Sequence, residues 1–429
     1  MSDTSLLERA RTVLSDNWIG QASKPAPNLY PHQWSWDSAF VAIGNRHHRW
    51  DRAATEMATL FGAQWTNGLV PHIVFSDDNP GYFPSGSWWD SKASPHCPPT
   101  VMSSGIGQPA VHATAVKLVH RSSQDGVGDR FVEDLVPGLD AWHRYLHASR
   151  AIDGDLIEIW HPWESGRDNN PEWDKPMAAV RFDRSEIPPY RRADTQHAAV
   201  DDRPSDAEYD IYLYLVRELH RRGFDPVDAT ELQFRVRDIL FNAVLVRAEH
   251  DLAELQELVG QDGQTARQRA GRLEQSIHEQ LWSDSSGLYH SMDARTGELI
   301  STRTSGAFCA LLLDELPVER RDRLIENLER DFLVPAGDGR VPLTVPVDEP
   351  GFEPGRYWRG PAWTHMSWLI AAGLDHQGAT DLAEEVRVGT LALCEQIGFF
   401  EYFDPRRGSG HGTDHFSWSA ALTVDLMSR

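Results

Sequence analysis

Apolar and polar residues alternate along most of this chain with the period of an amphipathic helix. Apolar side chains recur at positions i, i+3, i+4 and i+7, a spacing that predicts helices. The segments with this spacing are 4–15, 36–48, 50–65, 107–121, 130–149, 206–222, 227–259, 264–283, 304–314, 317–331, 361–376, 378–397 and 415–427. Residues 287–300 alternate with the period of a strand and predict a β-hairpin. The pattern therefore predicts an all-α protein of about a dozen helices.

Two long segments, residues 66–106 and 151–205, interrupt the helical pattern. Both are rich in Pro, Gly, Asp and Trp. Connections longer than about 12–15 residues in a compact domain are usually functional or disordered, and these are too aromatic to be disordered. We therefore expect two ordered cap loops folded over a site. With about a dozen helices and no repeat of fixed length, residues 1–429 are predicted to form one (α/α)6 barrel domain rather than a solenoid.

The charge and the cysteines exclude several classes of protein. The formal net charge is −23, which disfavours nucleic acid and anionic membranes as partners, since both require a basic patch. Cys97, Cys309 and Cys394 are widely spaced and predict neither a disulfide framework nor a CxxC metal site. His411 and His415 are a weak metal signal in a Gly-rich segment. From these Cys and His patterns we expect no metal, and we expect no cofactor. Because the sequence shows neither an apolar signal region nor an apolar run of membrane length, we expect a cytoplasmic protein.

Tryptophan is unusually frequent. The chain has 16 Trp, and many lie beside Pro, Gly, Asp or His, outside the apolar stripes of the helices. Indole rings stack on the C–H faces of sugars, and the indole N–H donates a hydrogen bond. Large proteins also use Trp in their cores, but the clustering of these residues in loops favours a carbohydrate site. A small-molecule sugar is thus the expected partner, and a homo-oligomer stays open.

Cleavage of a glycosidic bond requires one carboxylic acid to protonate the leaving oxygen and a second carboxylate to assist the attack on the anomeric carbon. Three segments offer acids among aromatic residues outside the helical stripes. They are YPHQWSWD at 30–37, WHPWESGRDNNPEWD at 160–174 and FFEYFDP at 399–405.

The three segments differ in how clearly they single out one acid. Asp37 opens a helix, where it either caps the helix or binds sugar hydroxyls. The middle segment contains four candidate acids that spacing does not separate: Glu164, Asp168, Glu172 and Asp174. Glu401 is flanked by aromatic residues, a setting that raises the pKa of a carboxyl group. Its alternative is a solvated acid on a hairpin.

Five segments together resemble glycoside hydrolase family 63. They are YPHQWSWD, GRDNNPEWD, RYWRGPAW at 356–363, EYFDP and HFSWSAAL, and they occur in the expected order over essentially the whole chain. The resemblance is greatest to the bacterial branch that hydrolyses mannosylglycerate and glucosylglycerate. It implies an (α/α)6 barrel and an inverting α-glycosidase that acts on a small anionic α-glycoside.

The same resemblance implies roles for individual residues. Asp168 becomes the general acid, and Glu401 becomes the base that activates water. The residues assigned to the sugar are Tyr30, Trp34, Trp36, Asp37, Gln108, Trp163, Gly166, Trp358 and Arg359. Arg203 and Tyr209 match the pair that binds the glycerate carboxylate, and Tyr357 matches a third polar contact. A guanidinium binds a carboxylate through two parallel hydrogen bonds, so Arg203 suits this task, although it also fits a surface Arg near a helix N-cap.

Other functions on the same barrel stay open. A trehalase-like enzyme or general α-glucosidase acting on a neutral disaccharide is the nearest alternative, and it would not need Arg203. Sugar epimerases and isomerases use paired His, whereas these motifs supply carboxylates. A non-catalytic sugar-binding protein would leave the carboxylates without a role. The sequence distinguishes neither glucose from mannose, which differ at the C2 hydroxyl, nor one acidic aglycone from another.

Overall fold

The computed structural model of this protein describes residues 5–77, 82–123, 126–192, 194–196 and 199–428. Its α-helices are α1 Leu6–Asp16, α2 Ser35–Asn45, α3 Trp50–Gly62, α4 Gly86–Trp89, α5 His112–Arg121, α6 Val127–Tyr145, α7 Asp174–Ala178, α8 Asp206–Arg221, α9 Ile239–Leu258, α10 Gln264–Gln280, α11 Val318–Asn327, α12 Thr364–His376, α13 Thr380–Ile397 and α14 Ser417–Met427. A 3₁₀ helix spans Ser305–Leu312. The prediction of an all-α fold is confirmed.

Six helical segments form a closed inner ring. In order around the ring they are α2, α5, α9, the 3₁₀ helix Ser305–Leu312, α12 and α14, each packed on the next, and α14 packs on α2. Every residue of α2 and of the 3₁₀ helix is buried. Helices that are apolar on most sides belong in a protein interior, and these six make the core of the molecule.

Six further helices form an outer ring. Helices α3, α6, α10, α11, α13 and α1 pack on α2, α5, α9, the 3₁₀ helix, α12 and α14 respectively. The outer helices are amphipathic, and α11 for example buries only Leu324 and Asn327. Inner and outer helices alternate along the chain from α2 to α14, which is the double ring predicted as an (α/α)6 barrel. That prediction is confirmed.

The strands are short and lie between the helices. They are β1 Gln33–Trp34, β2 Ile73–Val74, β3 Val236–Arg237, β4 Trp282–Ser283, β5 Leu288–Tyr289, β6 Met292–Asp293, β7 Glu298–Leu299, β8 Leu333–Ala336, β9 Gly339–Pro342, β10 Tyr402–Asp404 and β11 Ser409–His411. The antiparallel pairs are β1–β2, β3–β6, β4–β5, β6–β7, β8–β9 and β10–β11. The hairpin predicted within residues 287–300 is β6–β7.

One predicted helix begins later than its pattern indicates. The apolar spacing over 227–259 continues into α9, but α9 begins at Ile239 because the Asp238 side chain accepts a hydrogen bond from the Leu240 amide and caps the helix. The residues before the cap pair as strand β3 with β6. Tertiary pairing therefore overrides a helical pattern there.

The two predicted cap segments contain only short elements. Residues 66–106 include β2 and the four-residue helix α4, and residues 151–205 include α7 and several single 3₁₀ turns. Both segments contribute side chains to the cavity described below. Their role as caps, and the assignment of residues 1–429 to one domain, stay predictions. Within the described part of the chain, no helix is both long and apolar enough to cross a membrane.

Candidate active site

A cavity of about 880 Å³, open to solvent, lies at the N-terminal ends of inner-ring helices. Trp34 and Trp363 are the N-cap residues of α2 and α12, and Phe416 is that of α14. The described residues that line the cavity are Pro25, Leu29, Tyr30, Trp34, Trp36, Asp37, His72, Ile73, Tyr82, Phe83, Pro84, Gln108, Trp163, Gly166, Asp168, Asp194, Arg203, Pro204, Tyr209, Tyr357, Trp358, Trp363, Glu401, Phe416 and Trp418. The lining thus combines aromatic rings with carboxyl groups.

Every site residue predicted from the sequence lines this cavity except Arg359. The Arg359 guanidinium forms a short ion pair with Asp174 and lies 3.6 Å from Glu208 Oε1. These acids draw Arg359 away from the cavity, while its neighbours Tyr357 and Trp358 line it. The structure therefore brings together residues from both ends of the chain but leaves Arg359 outside.

Aromatic rings form one wall of the cavity. Trp358 and Trp363 stack with ring centroids 3.9 Å apart and planes 7° apart. Trp363 also stacks on Tyr402 at 4.8 Å, and Trp36 meets Trp418 edge to face at 5.7 Å. Each of these rings is thus packed against a neighbouring ring. Such a surface suits the C–H face of a sugar ring.

Four acids in the segment 160–174 were candidates, and their contacts separate them. Glu164 accepts hydrogen bonds from the Trp160 amide at 2.7 Å and from Arg150 at 2.9 Å. Arg167 donates to Glu172 at 2.7 Å, and Asp174 pairs with Arg359. None of these three lines the cavity as described, whereas Asp168 does. The other acids are structural partners of buried or partly buried arginines.

The backbone around Asp168 is held from several sides. Gly166 has a φ of +68°, and its Cα lies so close to the Trp36 indole that a Cβ could not fit. The buried Arg167 side chain reaches Glu172 and Asp238, both at 2.7 Å. Tyr212 Oη donates to the Asp168 carbonyl oxygen at 2.8 Å. These contacts fix the direction of the Asp168 side chain without using its carboxyl group.

Burial raises the pKa of Asp168 to about 7, and the nearby charge of Glu401 adds to the rise while that of Arg203 opposes it. A hydrogen bond from its own backbone amide also opposes the rise, because it favours the ionised form of the Asp168 carboxyl group. A carboxyl group with such a pKa is partly protonated near neutral pH. It can therefore donate a proton, as a general acid does.

Glu401 lies between α13 and β10 and lines the same cavity as Asp168. Tyr30 Oη donates to Glu401 Oε1 at 2.7 Å, and Arg203 Nη1 lies 3.4 Å from Oε2. Burial raises the pKa of Glu401, and Arg203 and Tyr30 limit the rise because they stabilise the ionised carboxylate. Gly412 passes so close to this carboxylate that any side chain there would collide with it. The Glu401 carboxylate is thus held in place by Tyr30, Arg203 and the Gly412 backbone.

Arg203 is the one arginine among the described residues of the lining. Arg203 is buried and lies just before α8, whose N terminus is capped by Ser205 and Glu208. Its guanidinium donates to Tyr30 Oη at 2.9 Å and stacks over the Tyr357 ring, 4.1 Å from the centroid. A cation fixed by aromatic rings in this way presents a planar hydrogen-bonding edge to a ligand.

The lining also contains Asp37 and Asp194. Burial raises the pKa of Asp37 well above its usual range. Burial alone would raise the pKa of Asp194 too, but a hydrogen bond from Arg192 and the charge of Arg203 hold it below its usual value. Arg192 Nη2 lies 2.7 Å from Asp194 Oδ2. Asp194 is therefore ionised, with Arg192 at 2.7 Å and Arg203 at 3.4 Å as its partners.

The sequence did not indicate several lining residues. Trp363 and Trp418 lie within the motifs RYWRGPAW and HFSWSAAL, so those motifs held the signal. His72, Tyr82 and Asp194 lie in the two cap segments, where no pattern points to individual residues. Among the described residues there is no group of three or more His, Cys, Asp or Glu side chains arranged to hold a metal ion.

The chain resembles known proteins along its whole length. Residues 30–419 match the family described as mannosylglycerate hydrolase MGH1-like glycoside hydrolase domain. A mannosylglycerate hydrolase of Rubrobacter radiotolerans is 42% identical over 98% of this chain and 96% of its own. A glucosylglycerate hydrolase of Mycolicibacterium hassiacum is 34% identical over 99% of this chain and 98% of its own.

Solved structures agree with these matches. The crystal structure of a family 63 mannosylglycerate hydrolase from Thermus thermophilus, in complex with Tris and D-glycerate, has a TM-score of 0.91 and 38% identity, covering 99% of this chain and 100% of that one. The neutral trehalase of Saccharomyces cerevisiae has a TM-score of 0.60 at 13% identity, covering 95% of this chain and 73% of that one. The second likeness extends to the fold alone.

The helical double ring, the aromatic cavity with its carboxyl groups and the whole-chain relatives define a glycoside hydrolase. More particularly, the chain belongs to the mannosylglycerate hydrolase MGH1-like family of glycoside hydrolases. The resemblance noted from its motifs is confirmed, and so is the prediction of an O-glycosyl hydrolase.

Proposed function

We propose that this protein hydrolyses the α-glycosidic bond of mannosylglycerate, glucosylglycerate or a similar small glycoside with a carboxylate aglycone, and that it inverts the anomeric configuration. The observation that carries this proposal is Arg203, a buried cation in an otherwise acidic cavity, 3.4 Å from Glu401. Whole-chain relatives with these two activities support it, as does the D-glycerate complex of the Thermus thermophilus enzyme.

In the proposed reaction Asp168 protonates the glycosidic oxygen while the bond from this oxygen to the anomeric carbon breaks. The pKa of Asp168, about 7, supports this role because the group is still partly protonated at neutral pH. After the transfer, the Asp168 carboxylate is stabilised by the charge of Arg203. Glycerate leaves with the proton that Asp168 supplied.

Glu401 is proposed to remove a proton from the water that attacks the opposite face of the anomeric carbon. The hydrogen bond from Tyr30 and the charge of Arg203 favour its ionised form. Inverting enzymes hold their two carboxyl groups roughly 6.5–9.5 Å apart, which leaves room for this water. The proposal therefore gives Asp168 and Glu401 the roles of acid and base, rather than acid and nucleophile.

The sugar is proposed to bind against Trp36, Trp358, Trp363 and Trp418. Asp37 and Gln108 offer acceptors and donors for its hydroxyl groups, and the Gln108 Oε1 is itself held by the Trp36 amide at 3.2 Å. Arg203, Tyr209 and Tyr357 are proposed to bind the glycerate. Arg359 lies outside the lining. It is proposed to hold the segment 160–174 in place through its ion pair with Asp174.

The proposed compartment is the cytoplasm. Cys97, Cys309 and Cys394 are all free thiols and all buried. Free cysteines without disulfides are typical of reducing compartments. The proposed substrate is therefore a small molecule dissolved in the cytoplasm.

The proposal is tested by a panel of α-glucosylglycerate, α-mannosylglycerate and trehalose, with release of reducing sugar as the readout. We expect hydrolysis of at least one glycerate glycoside and little of trehalose. Arg203→Ala should raise KM for the glycerate glycoside by about 100-fold, because a buried charged hydrogen-bonding partner is lost, and Arg203→Lys should lie in between. Preferred cleavage of trehalose would favour the trehalase-like alternative, and interconversion of free sugars would favour an epimerase.

Inversion makes a separate prediction. Proton NMR during the first minutes of hydrolysis of the α-glycoside should show the β-anomer of the sugar before mutarotation equilibrates it. The physical reason is that water attacks from the face opposite the leaving glycerate. Initial appearance of the α-anomer would mean that Glu401 acts as a nucleophile or that another residue does.

A further inference from the structure

The hairpin that follows Glu401 touches the turn that precedes Arg203. His411, at the end of β11, has its Nδ1 atom 3.0 Å from Asp202 Oδ2. Asp202 is the last residue of the 3₁₀ turn Val200–Asp202, and Arg203 follows it directly. The two side chains are 17% and 21% exposed, so their contact is partly shielded from solvent.

Tyr402 makes a second connection between the same two parts of the chain. Its hydroxyl group donates to the backbone carbonyl of Asp202 at 3.1 Å. Its ring stacks on the His411 imidazole with centroids 5.8 Å apart and planes 11° apart. The other imidazole nitrogen, Nε2, lies 2.9 Å from Ser409 Oγ, which fixes the orientation of the ring. The imidazole is thus aimed at Asp202.

We propose that Asp202, Tyr402 and His411 form a latch that positions Arg203 for the aglycone carboxylate. The latch joins the Arg203 backbone to the hairpin β10–β11, which begins at the residue after Glu401. It therefore sets where the guanidinium lies relative to Glu401. This inference rests on the proposed function, because it concerns recognition of an anionic aglycone by Arg203.

The latch differs from the contacts that the guanidinium makes itself. In this structure Arg203 donates to Tyr30 and lies beside Glu401 and Asp194. A substrate carboxylate must take over some of these hydrogen bonds. The latch acts on the side chain and carbonyl of Asp202, so it persists when the guanidinium turns to the substrate. Asp202, Tyr402 and His411 are thus positioning residues, and none of them lines the described cavity.

The test compares His411→Gln, Asp202→Asn and Tyr402→Phe with the wild type. The measurements are kcat and KM for the glycerate glycoside and the inhibition constants of D-glycerate and of the free sugar. We expect KM and the inhibition constant of D-glycerate to rise about fivefold in each variant, the scale of one partly exposed ion pair or hydrogen bond. The inhibition constant of the sugar and kcat should change by less than about twofold.

His415→Gln is the matched control. His415 lies in the same Gly-rich segment, is 58% exposed and pairs with Asp414 rather than with the 200–202 turn. It should leave all four constants unchanged. Because Asp202 and His411 form one pair, the double variant Asp202→Asn, His411→Gln should be no worse than about the poorer single variant.

Two results overturn the latch while leaving the proposed function intact. One is an unchanged inhibition constant for D-glycerate in all three variants. The other is an equal rise for D-glycerate and the free sugar, which indicates general distortion of the cavity. By contrast, a wild type that neither hydrolyses glycerate glycosides nor binds D-glycerate refutes the proposed function itself. If the Tyr402→Phe variant does not fold, the variants of the partly exposed residues Asp202 and His411 still test the latch.

Discussion

Asp168→Asn is expected to lower kcat on a glycerate α-glycoside by about 10³-fold or more, the scale of lost general acid catalysis. An amide cannot donate a proton to the departing oxygen. The substitution should leave the fold intact, because Asn keeps the size and an acceptor oxygen of Asp, and the Asp168 backbone is held by the hydrogen bond from Tyr212. Steady-state kinetics and thermal unfolding of the purified variant measure the two effects.

The leaving group provides the control for this role. An α-glycosyl fluoride needs little protonation to depart, so Asp168→Asn should lose no more than about tenfold on it. The pH profile gives a second check. Because the pKa of Asp168 is about 7 and the group must be protonated to act, wild-type kcat/KM should fall as pH rises through about 7. Near-wild-type activity of the variant on the glycerate glycoside would refute the assignment.

Glu401→Gln is expected to reduce kcat by a similar factor, about 10³-fold or more, through loss of the general base. Gln keeps an oxygen that can accept the hydrogen bond from Tyr30 Oη, now 2.7 Å from Glu401 Oε1. The cavity should therefore keep its shape, and the inhibition constant of the free sugar should change little. Removing one negative charge beside Arg203 leaves D-glycerate binding intact or stronger.

The two variants differ in their response to an activated substrate. A glycosyl fluoride still requires an attacking water, so Glu401→Gln should stay inactive on it while Asp168→Asn recovers. Equal recovery in both variants would mean that neither residue is the base. A raised pKa in Glu401 also predicts an acid limb, in which wild-type activity falls as the carboxylate becomes protonated.

The four acids of segment 160–174 illustrate what spacing leaves open. They lie within a loop rich in Gly, Pro and Asn, where no regular period relates position to direction. The motif resemblance selected Asp168. The structure adds a physical distinction, because Arg150 and Arg167 take up Glu164 and Glu172 as ion-pair partners. Arg167 belongs to the motif itself and Arg150 lies outside it, but no spacing in the sequence shows which acid either arginine reaches.

Arg203 and Arg359 also show that the sequence does not determine which acid a side chain contacts. Both are predicted to bind substrate, and both are buried arginines beside acids. Arg203 stacks over Tyr357 inside the cavity, whereas Arg359 turns to Asp174 and Glu208. Which acid an arginine reaches depends on neighbours from other parts of the chain. The latch residues Asp202 and His411, 209 positions apart, are a further case.

The sequence by itself determined the helical class, the (α/α)6 barrel and the family, because a helix needs an apolar stripe of fixed period and the site motifs are short and contiguous. Only the tertiary structure decided which carboxyl groups face the cavity, which arginine joins them and how burial and nearby charges shift their pKa values. Those properties depend on distances between segments that are far apart in the chain, and such distances have no local pattern.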